Sequence, residues 1–200
     1  MSKPITTIII PCWRRPQRTR RAIQSVLNQT EKSWELLCIG DSCPDLVDVE
    51  IRDPRIIYHN MPEHEGRYGT QCLNYGLSIA RGDWICYLGN DDYLLPTHLM
   101  TRLATVSDDL DFVHYDALIA TSGGFTIRKS GLSHGTTGGS ELMVRAGLAK
   151  DVGFTSGDYG HDWKHIEGLK EKSRAWGYCD LPPTYVVTHL PGTLAETDID

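Results

Sequence analysis

The sequence has no cysteine pair in CxxC spacing, so its six cysteines, at 12, 38, 43, 72, 86 and 179, do not read as a zinc cluster. Cys12, Cys38 and Cys86 fall in or beside apolar runs, where a free thiol serves as a small hydrophobe. No apolar run approaches the ~20 residues of a membrane-spanning helix. The opening MSKPITTIIIP lacks a signal-peptide apolar region and runs straight into a strand pattern. A reducing, cytoplasmic setting is therefore the expectation. Positive charge is also short: 20 Lys and Arg stand against 26 Asp and Glu, for a net charge of −6. That balance argues against a nucleic-acid partner. The cluster Arg14, Arg15, Arg18, Arg20 and Arg21 reads as the solvated face of a helix. GxGxxG is missing after the first strand, and no GxxxxGK[ST], GxSxG or HExxH occurs. These gaps remove dinucleotide, P-loop, hydrolase-elbow and zincin chemistry.

What is present is globular. A chain of 200 residues, 40% hydrophobic and 23% charged, supports one well-buried core and is too short for two ordinary domains. Thr6–Pro11 reads as a strand buried on both faces, and Pro16 stands where a helix can begin. Ala22, Ile23, Val26 and Leu27 keep helical spacing. Trp34–Ile39, Arg55–His59 and Trp84–Leu88 read as further strands, with a helix over 69–80 between the last two. Leu99, Met100, Leu103 and Val106 form the apolar face of the next helical stretch, and Asp111–Ile119 returns to strand. Residues 121–140 read as a loop with room for one short hairpin. Leu142–Val152 is apolar, His161–Trp176 an amphipathic helix and Tyr185–Thr188 a last strand. The alternation predicts an α/β fold, a single mostly parallel twisted sheet flanked by helices. Residues 1–200 read as one domain in two halves that meet near residue 120.

Ligands of open α/β sheets bind beyond the carboxyl ends of the strands. Polar groups stand at such ends: Cys12-Trp13-Arg14, Gly40-Asp41-Ser42 and Asn90-Asp91-Asp92. Neighbouring carboxylates suit a hard cation with oxygen ligands, Mg²⁺ or Mn²⁺, and such a cation suits a diphosphate. The same Asp91-Asp92 pair also fits a turn that caps the helix before Pro96. Asp41 fits an Asx turn as well as a site, and Trp13 fits packing as well as stacking on a base.

In order, TIIIPCWRRP, AIQSVLNQT, WELLCIGDSCPD, LNYGLSIARGDWICYLGNDDYLLPTHL and ELMVRAGLAKDVGF resemble the family 2 glycosyltransferases of the GT-A fold, over roughly residues 5–192. The resemblance implies roles. Pro11 would stand in the nucleotide loop and Trp13 against the donor base. Asp41 would accept a hydrogen bond from the base imide, and Asn90 would lie near the ribose. Asp91, with Asp92 beside it, would hold Mn²⁺ or Mg²⁺ on the two phosphates. Arg67, in the Gly-flanked GRYG loop, could reach the diphosphate. His189 resembles a histidine that some relatives place near the metal, and a surface role fits it equally. Residues 1–120 would form the nucleotide-sugar half and 121–200 the acceptor and catalytic-base half.

The family carries an acidic pair at the start of an amphipathic helix in its second half, and His161-Asp162 matches that place. Asp162 would take the proton from the acceptor hydroxyl, with Asp158 as runner-up; an acid at a helix N-terminus is the alternative. Gly89 stands where the family has the first acid of Asp-x-Asp, and Gly40 replaces the first of its Asp-Asp pair. The implied activity is an inverting, metal-dependent transfer from a UDP-sugar to an acceptor glycan or other hydroxyl compound; dTDP and GDP donors stay open. A non-catalytic nucleotide-sugar-binding module and a sugar-nucleotide nucleotidyltransferase are the rival readings.

Overall fold

Thr6 and Thr7 lead into three isoleucines, Ile8, Ile9 and Ile10, all fully buried. Branched side chains that are stiff at χ1 favour the extended backbone, and burial on both faces fits a strand inside a covered sheet. In the computed structural model, which describes residues 5–49, 51–155, 157–158 and 160–188, this run is β1 (Thr6–Cys12). There follow α1 (Pro16–Leu27), β2 (Trp34–Gly40), β3 (Ile56–Asn60), α2 (Thr70–Ile79), β4 (Trp84–Tyr87), β5 (Tyr93–Leu94), α3 (His98–Leu103) and β6 (Phe112–Tyr115). The later elements are β7 (Ala117–Thr121), β8 (Gly124–Arg128), β9 (Leu142–Arg145), α4 (Ala146–Val152), α5 (His161–Lys172), β10 (Trp176–Cys179) and β11 (Tyr185–Val187).

A seven-stranded sheet runs in the order β10-β6-β9-β4-β1-β2-β3. β1 is parallel to β2 and β4, β2 to β3, and β10 to β6. Only β9 runs against its neighbours, β4 and β6. Residues of β1 alternate between two cores. Ile8 and Ile10 pack with Ala22, Ile23 and Val26 of α1 and Leu99 of α3. Ile9 packs with Leu73 and Leu77 of α2, Ala149 of α4, and Ile166 and Leu169 of α5. The helices thus cover both faces, and the parallel strands β1, β2 and β4 end on one edge.

The structure revises several details of the pattern. A second sheet of four strands, in the order β5-β11-β7-β8, stands beside the large one. The run 111–119 is not one strand. Asp116 accepts hydrogen bonds from Ser130 N (2.9 Å) and Lys129 Nζ (2.6 Å), and at that point the chain leaves the large sheet for the small one. The stretch 142–152 is a strand followed by a helix, and Trp176 opens β10 rather than closing α5. Met100 is 49% exposed, off the apolar face of α3. The hairpin expected within 121–140 begins earlier: it is β7–β8, spanning residues 117–128.

A buried polar knot fixes β1, β2 and the turn before β4. Glu35 accepts from Thr7 Oγ1 (2.7 Å), Arg81 N (2.6 Å) and Arg81 Nε (2.7 Å), while Gly82 N donates to Thr7 Oγ1 (2.9 Å). A Cβ on Gly82 would lie 2.5 Å from the Thr7 nitrogen, against backbone that cannot yield cheaply. Gly82→Ala should therefore cost about 1–3 kcal/mol, as overpacking of a tight site does. Urea unfolding at neutral pH measures it, and an unchanged midpoint contradicts the packing account.

Candidate active site

The ends of β1, β2 and β4 open into one cleft of about 1100 Å³, closed on the far side by Gly139, Phe154 and the start of α5. Backbone strain gathers here. Arg14 (φ 53°), Arg15 (φ 56°), Arg67 (φ 45°) and Tyr68 (φ 55°) line the cleft, and Ser42 (φ 52°) follows Asp41. Left-handed backbone costs a non-glycine residue about 1–2 kcal/mol, and such outliers cluster at functional sites.

Asp41 closes β2 and is 3% exposed. Its Oδ1 accepts from Glu65 N (2.9 Å) and its Oδ2 from Gly66 N (2.8 Å). His64 Nδ1 lies 2.9 Å from the same Oδ2, and the His64 ring stacks on Trp13 at 3.7 Å. Asn90, beyond β4, donates through Nδ2 to the carbonyls of Trp13 (3.3 Å) and Arg14 (3.4 Å) and to Thr19 Oγ1 (3.2 Å). It clamps the β1–α1 loop against the end of β4.

Asp91 points its carboxylate into the cleft, where Arg15 pairs with it, while Arg21 and the Thr188 hydroxyl donate to its main-chain oxygen. Asp92 faces elsewhere. It is 2% exposed and accepts from Tyr185 Oη (2.7 Å) and Thr188 N (2.8 Å), tying β11 to the end of β4. Asp92 is outside the cleft lining. The arginine cluster is not simply a solvated helix face: Arg14, Arg15 and Arg18 line the cleft.

Asp162, in the first turn of α5, lines the cleft. Its side chain is 41% exposed; partial desolvation pushes its pKa up, but His161 and the Gly139 N–H outweigh that and hold it below the usual carboxylate range. His161 Nε2 lies 3.1 Å from Asp162 Oδ1. Burial pulls the His161 pKa down, yet the Asp162 hydrogen bond and charge raise it overall. A Cβ on Gly139 would lie 2.7 Å from Asp162 Oδ1, so a larger residue there would push the Asp162 carboxyl aside. Below the cleft, burial pushes His165 down to about 4. It is neutral at pH 7, so its Nδ1–H donates to Gly153 O (2.7 Å) and its Nε2 accepts from Tyr87 Oη (3.2 Å).

The structure thus brings Pro11, Trp13, Asp41, Arg67, Asn90, Asp91 and Asp162 to one cleft. Asp158 stays outside its lining, bonded to Lys164 Nζ (2.9 Å) and Gly160 N (3.1 Å). His189 lies outside the described residues. Sequence reasoning missed His64, whose position depends on a loop folded around Asp41 and carries no motif. Among the described residues, no cluster of three or more His, Cys, Asp or Glu could hold a metal by itself. Asp91 offers one carboxylate, enough for an ion that keeps waters and takes its remaining oxygens from a diphosphate.

The sequence model for glycosyl transferase family 2 matches residues 7–158. The chain belongs to glycosyl transferase family 2. It is 28% identical over 134 residues to the GalNAc(5)-diNAcBac-PP-undecaprenol beta-1,3-glucosyltransferase of Campylobacter jejuni, covering 64% of this chain and 43% of that one. It is 33% identical over 103 residues to Protein CgeD of Bacillus subtilis, covering 46% and 24%. The chain therefore spans less than half the length of these curated relatives. Staphylococcus aureus TarS (residues 1–349), solved in complex with UDP, superposes with TM-score 0.78 at 15% identity, over 93% of this chain and 61% of that one. The mannosyltransferase PcManGT of Pyrobaculum calidifontis, solved with GDP-Man and Mn²⁺, superposes with TM-score 0.65 at 15% identity, over 94% and 57%. The fold of the chain is GT-A.

One buried acid in this family 2 chain stands behind the cleft. Glu141 is fully buried; burial pushes its pKa up to about 7, against the pull of Arg128 and the Gly138 N–H. Its unfolded value lies near 4.5, so between these values the native state holds a proton that the unfolded chain has released. Stability from this group is complete below about pH 4.5 and is lost as pH rises to about 7, on the order of 3 kcal/mol in all. Urea unfolding of wild type and Glu141→Gln at pH 5 and pH 7.5 measures the difference. The wild type should lose stability relative to the variant over that window, and parallel pH profiles contradict the assignment.

Proposed function

We propose that the chain transfers a sugar from a UDP-sugar to a glycan or other acceptor hydroxyl, with inversion at the anomeric carbon. The observation that carries this is the convergence of Trp13, Asp41, Asp91 and Asp162 on one cleft. TarS in complex with UDP, and with UDP-GlcNAc, supports the donor class. The Campylobacter relative, a glucosyltransferase whose name specifies a glycan on a lipid carrier, supports a glycan acceptor.

In this reading Trp13 and Asp41 receive the nucleobase, by stacking and by accepting the imide N–H. Arg15, with Arg14 and Arg67 nearby, meets the diphosphate, where guanidinium forks suit phosphate oxygens. Asp91 would hold Mn²⁺ or Mg²⁺ together with the diphosphate, and such an ion, when bound, offsets charge developing on the leaving phosphate. PcManGT, solved with Mn²⁺, supports that assignment. Asp162 is ionised at neutral pH and takes the acceptor proton; the adjacent His161, 3.1 Å away, steadies the pair as the charge changes. Asp162, on α5, lines the same cleft as the strand ends assigned to the donor, which supports a single displacement with one base.

UDP with Mn²⁺ should raise the melting temperature, and EDTA should remove the metal-dependent part. At ~100 times its Kd a ligand adds roughly 2.7 kcal/mol. A flat melting curve with every nucleoside diphosphate, with or without metal, sinks the donor assignment.

Asp162→Asn keeps size and hydrogen bonding but does not take a proton at neutral pH. It should lower turnover by ~10²–10⁴ and leave UDP affinity unchanged, because the donor contacts lie on other elements. Steady-state transfer and UDP calorimetry on this variant read both parts. Near-normal turnover removes Asp162 from the base role, and lost UDP affinity in a folded variant places it in the donor site.

A further inference from the structure

Resting on the donor-site reading above, we propose that His64 occupies the seat of the donor's nucleobase and that donor binding must displace it. Two contacts define that seat: a ring face on Trp13 and a hydrogen bond into the Asp41 carboxylate. His64 makes both. Its ring stacks on Trp13 with centroids 3.7 Å apart and planes 15° from parallel, which leaves no gap for a second ring between them. Its Nδ1 lies 2.9 Å from Asp41 Oδ2 and 3.0 Å from the Asp41 main-chain oxygen. Both neighbours are acceptors, so Nδ1 carries the hydrogen and donates, as the imide N–H of uracil would.

The competition is for one oxygen of Asp41, the Oδ2 to which the Trp13-stacked ring is held. Oδ2 already accepts from Gly66 N at 2.8 Å and from His64, while Oδ1 accepts from Glu65 N at 2.9 Å. An oxygen with two lone pairs is filled by Gly66 and His64 together. An incoming imide gains that position only when His64 leaves. The side chain of His64 is 42% exposed, so it can swing out about its own torsions while Glu65 N and Gly66 N keep the loop on Asp41. His64 then sets donor specificity by exchange. A ligand that replaces both the stack and the hydrogen bond recovers what it displaces; one that supplies the phosphates alone leaves His64 in place.

The test is calorimetry on the full chain with two probes, UDP and inorganic pyrophosphate, each with Mn²⁺, for wild type, His64→Ala and His64→Phe, with thermal melts to verify folding. Removing the competitor should tighten UDP binding on the order of tenfold in His64→Ala, the worth of one stack and one hydrogen bond. Pyrophosphate affinity should be unchanged. His64→Phe keeps a ring on Trp13 but cannot donate to Asp41, so UDP affinity should fall between the other two. Weaker or unchanged UDP binding in His64→Ala overturns the proposal and makes His64 a partner of the donor or a bystander. Equal tightening of UDP and pyrophosphate also overturns it, because the effect is then general opening of the loop. Folded protein that binds UDP in none of the three forms overturns the donor-site reading itself, and this inference with it.

Discussion

Burying a carboxylate in protein costs several kcal/mol unless donors or cations surround it. The site in this chain is built around that constraint. Asp41, Asp91 and Asp92 stand at the ends of parallel strands with 3%, 7% and 2% of their surface exposed. Each is held by a different solution. Asp41 takes two backbone N–H groups of the 61–69 loop and the His64 ring. Asp91 takes Arg15. Asp92 takes the Tyr185 hydroxyl and the Thr188 amide. The loop shapes around the cleft, including the left-handed Arg14, Arg15, Arg67 and Tyr68, are what place those donors.

The compensation reaches well beyond the cleft. Arg102 is fully buried, its guanidinium 4.5 Å from the Tyr115 ring centre. It donates to Cys179 Sγ (2.7 Å), Pro182 O (2.8 Å) and Thr184 Oγ1 (2.9 Å). Those contacts pin the segment that leads into β11. β11 carries Tyr185 and leads to Thr188, the two residues that hold Asp92, and Thr188 also donates to the Asp91 main-chain oxygen. A guanidinium on one face of the sheet thereby helps to position Asp91, whose carboxylate lines the cleft. The second sheet, unanticipated from the residue pattern, exists to carry this connection from β5 and β7 to the strand ends.

How much was legible follows from which physics is local. β1 and α1 were readable because branched residues, Pro16 and helical spacing act within a few residues. That Trp13, Asp41, Asn90, Asp91 and Asp162 meet at one cleft was readable because strand ends of a parallel sheet converge and because an ordered set of segments matches a family. Asp92 was expected beside Asp91 at a metal, and it turns away from the cleft instead. Adjacent carboxylates look alike in sequence, and only the distant Tyr185 and Thr188 decide which one turns inward. His64 was invisible for the same reason: its place is fixed by Asp41, 23 residues earlier. Arg15 was hidden in a cluster whose charges suit solvent as well as a cleft, in a chain with net charge −6. Asp116 and Met100 were lost to run-length and periodicity, which do not register where a strand changes sheets or where a short helix stops being covered.

Gly89 departs from the family pattern, and its surroundings give a physical reason. A Cβ on residue 89 would lie 3.0 Å from Asp91 Oδ1 and 3.1 Å from Asp92 Oδ2. An aspartate there would press a third carboxylate onto two that are already almost fully buried, and like charges so close would force one to hold a proton. With glycine, Asp91 faces the cleft paired with Arg15. In the reading proposed above, a cation bound at Asp91 would compete with that guanidinium, and the Arg15 side chain would then turn to the donor's phosphates.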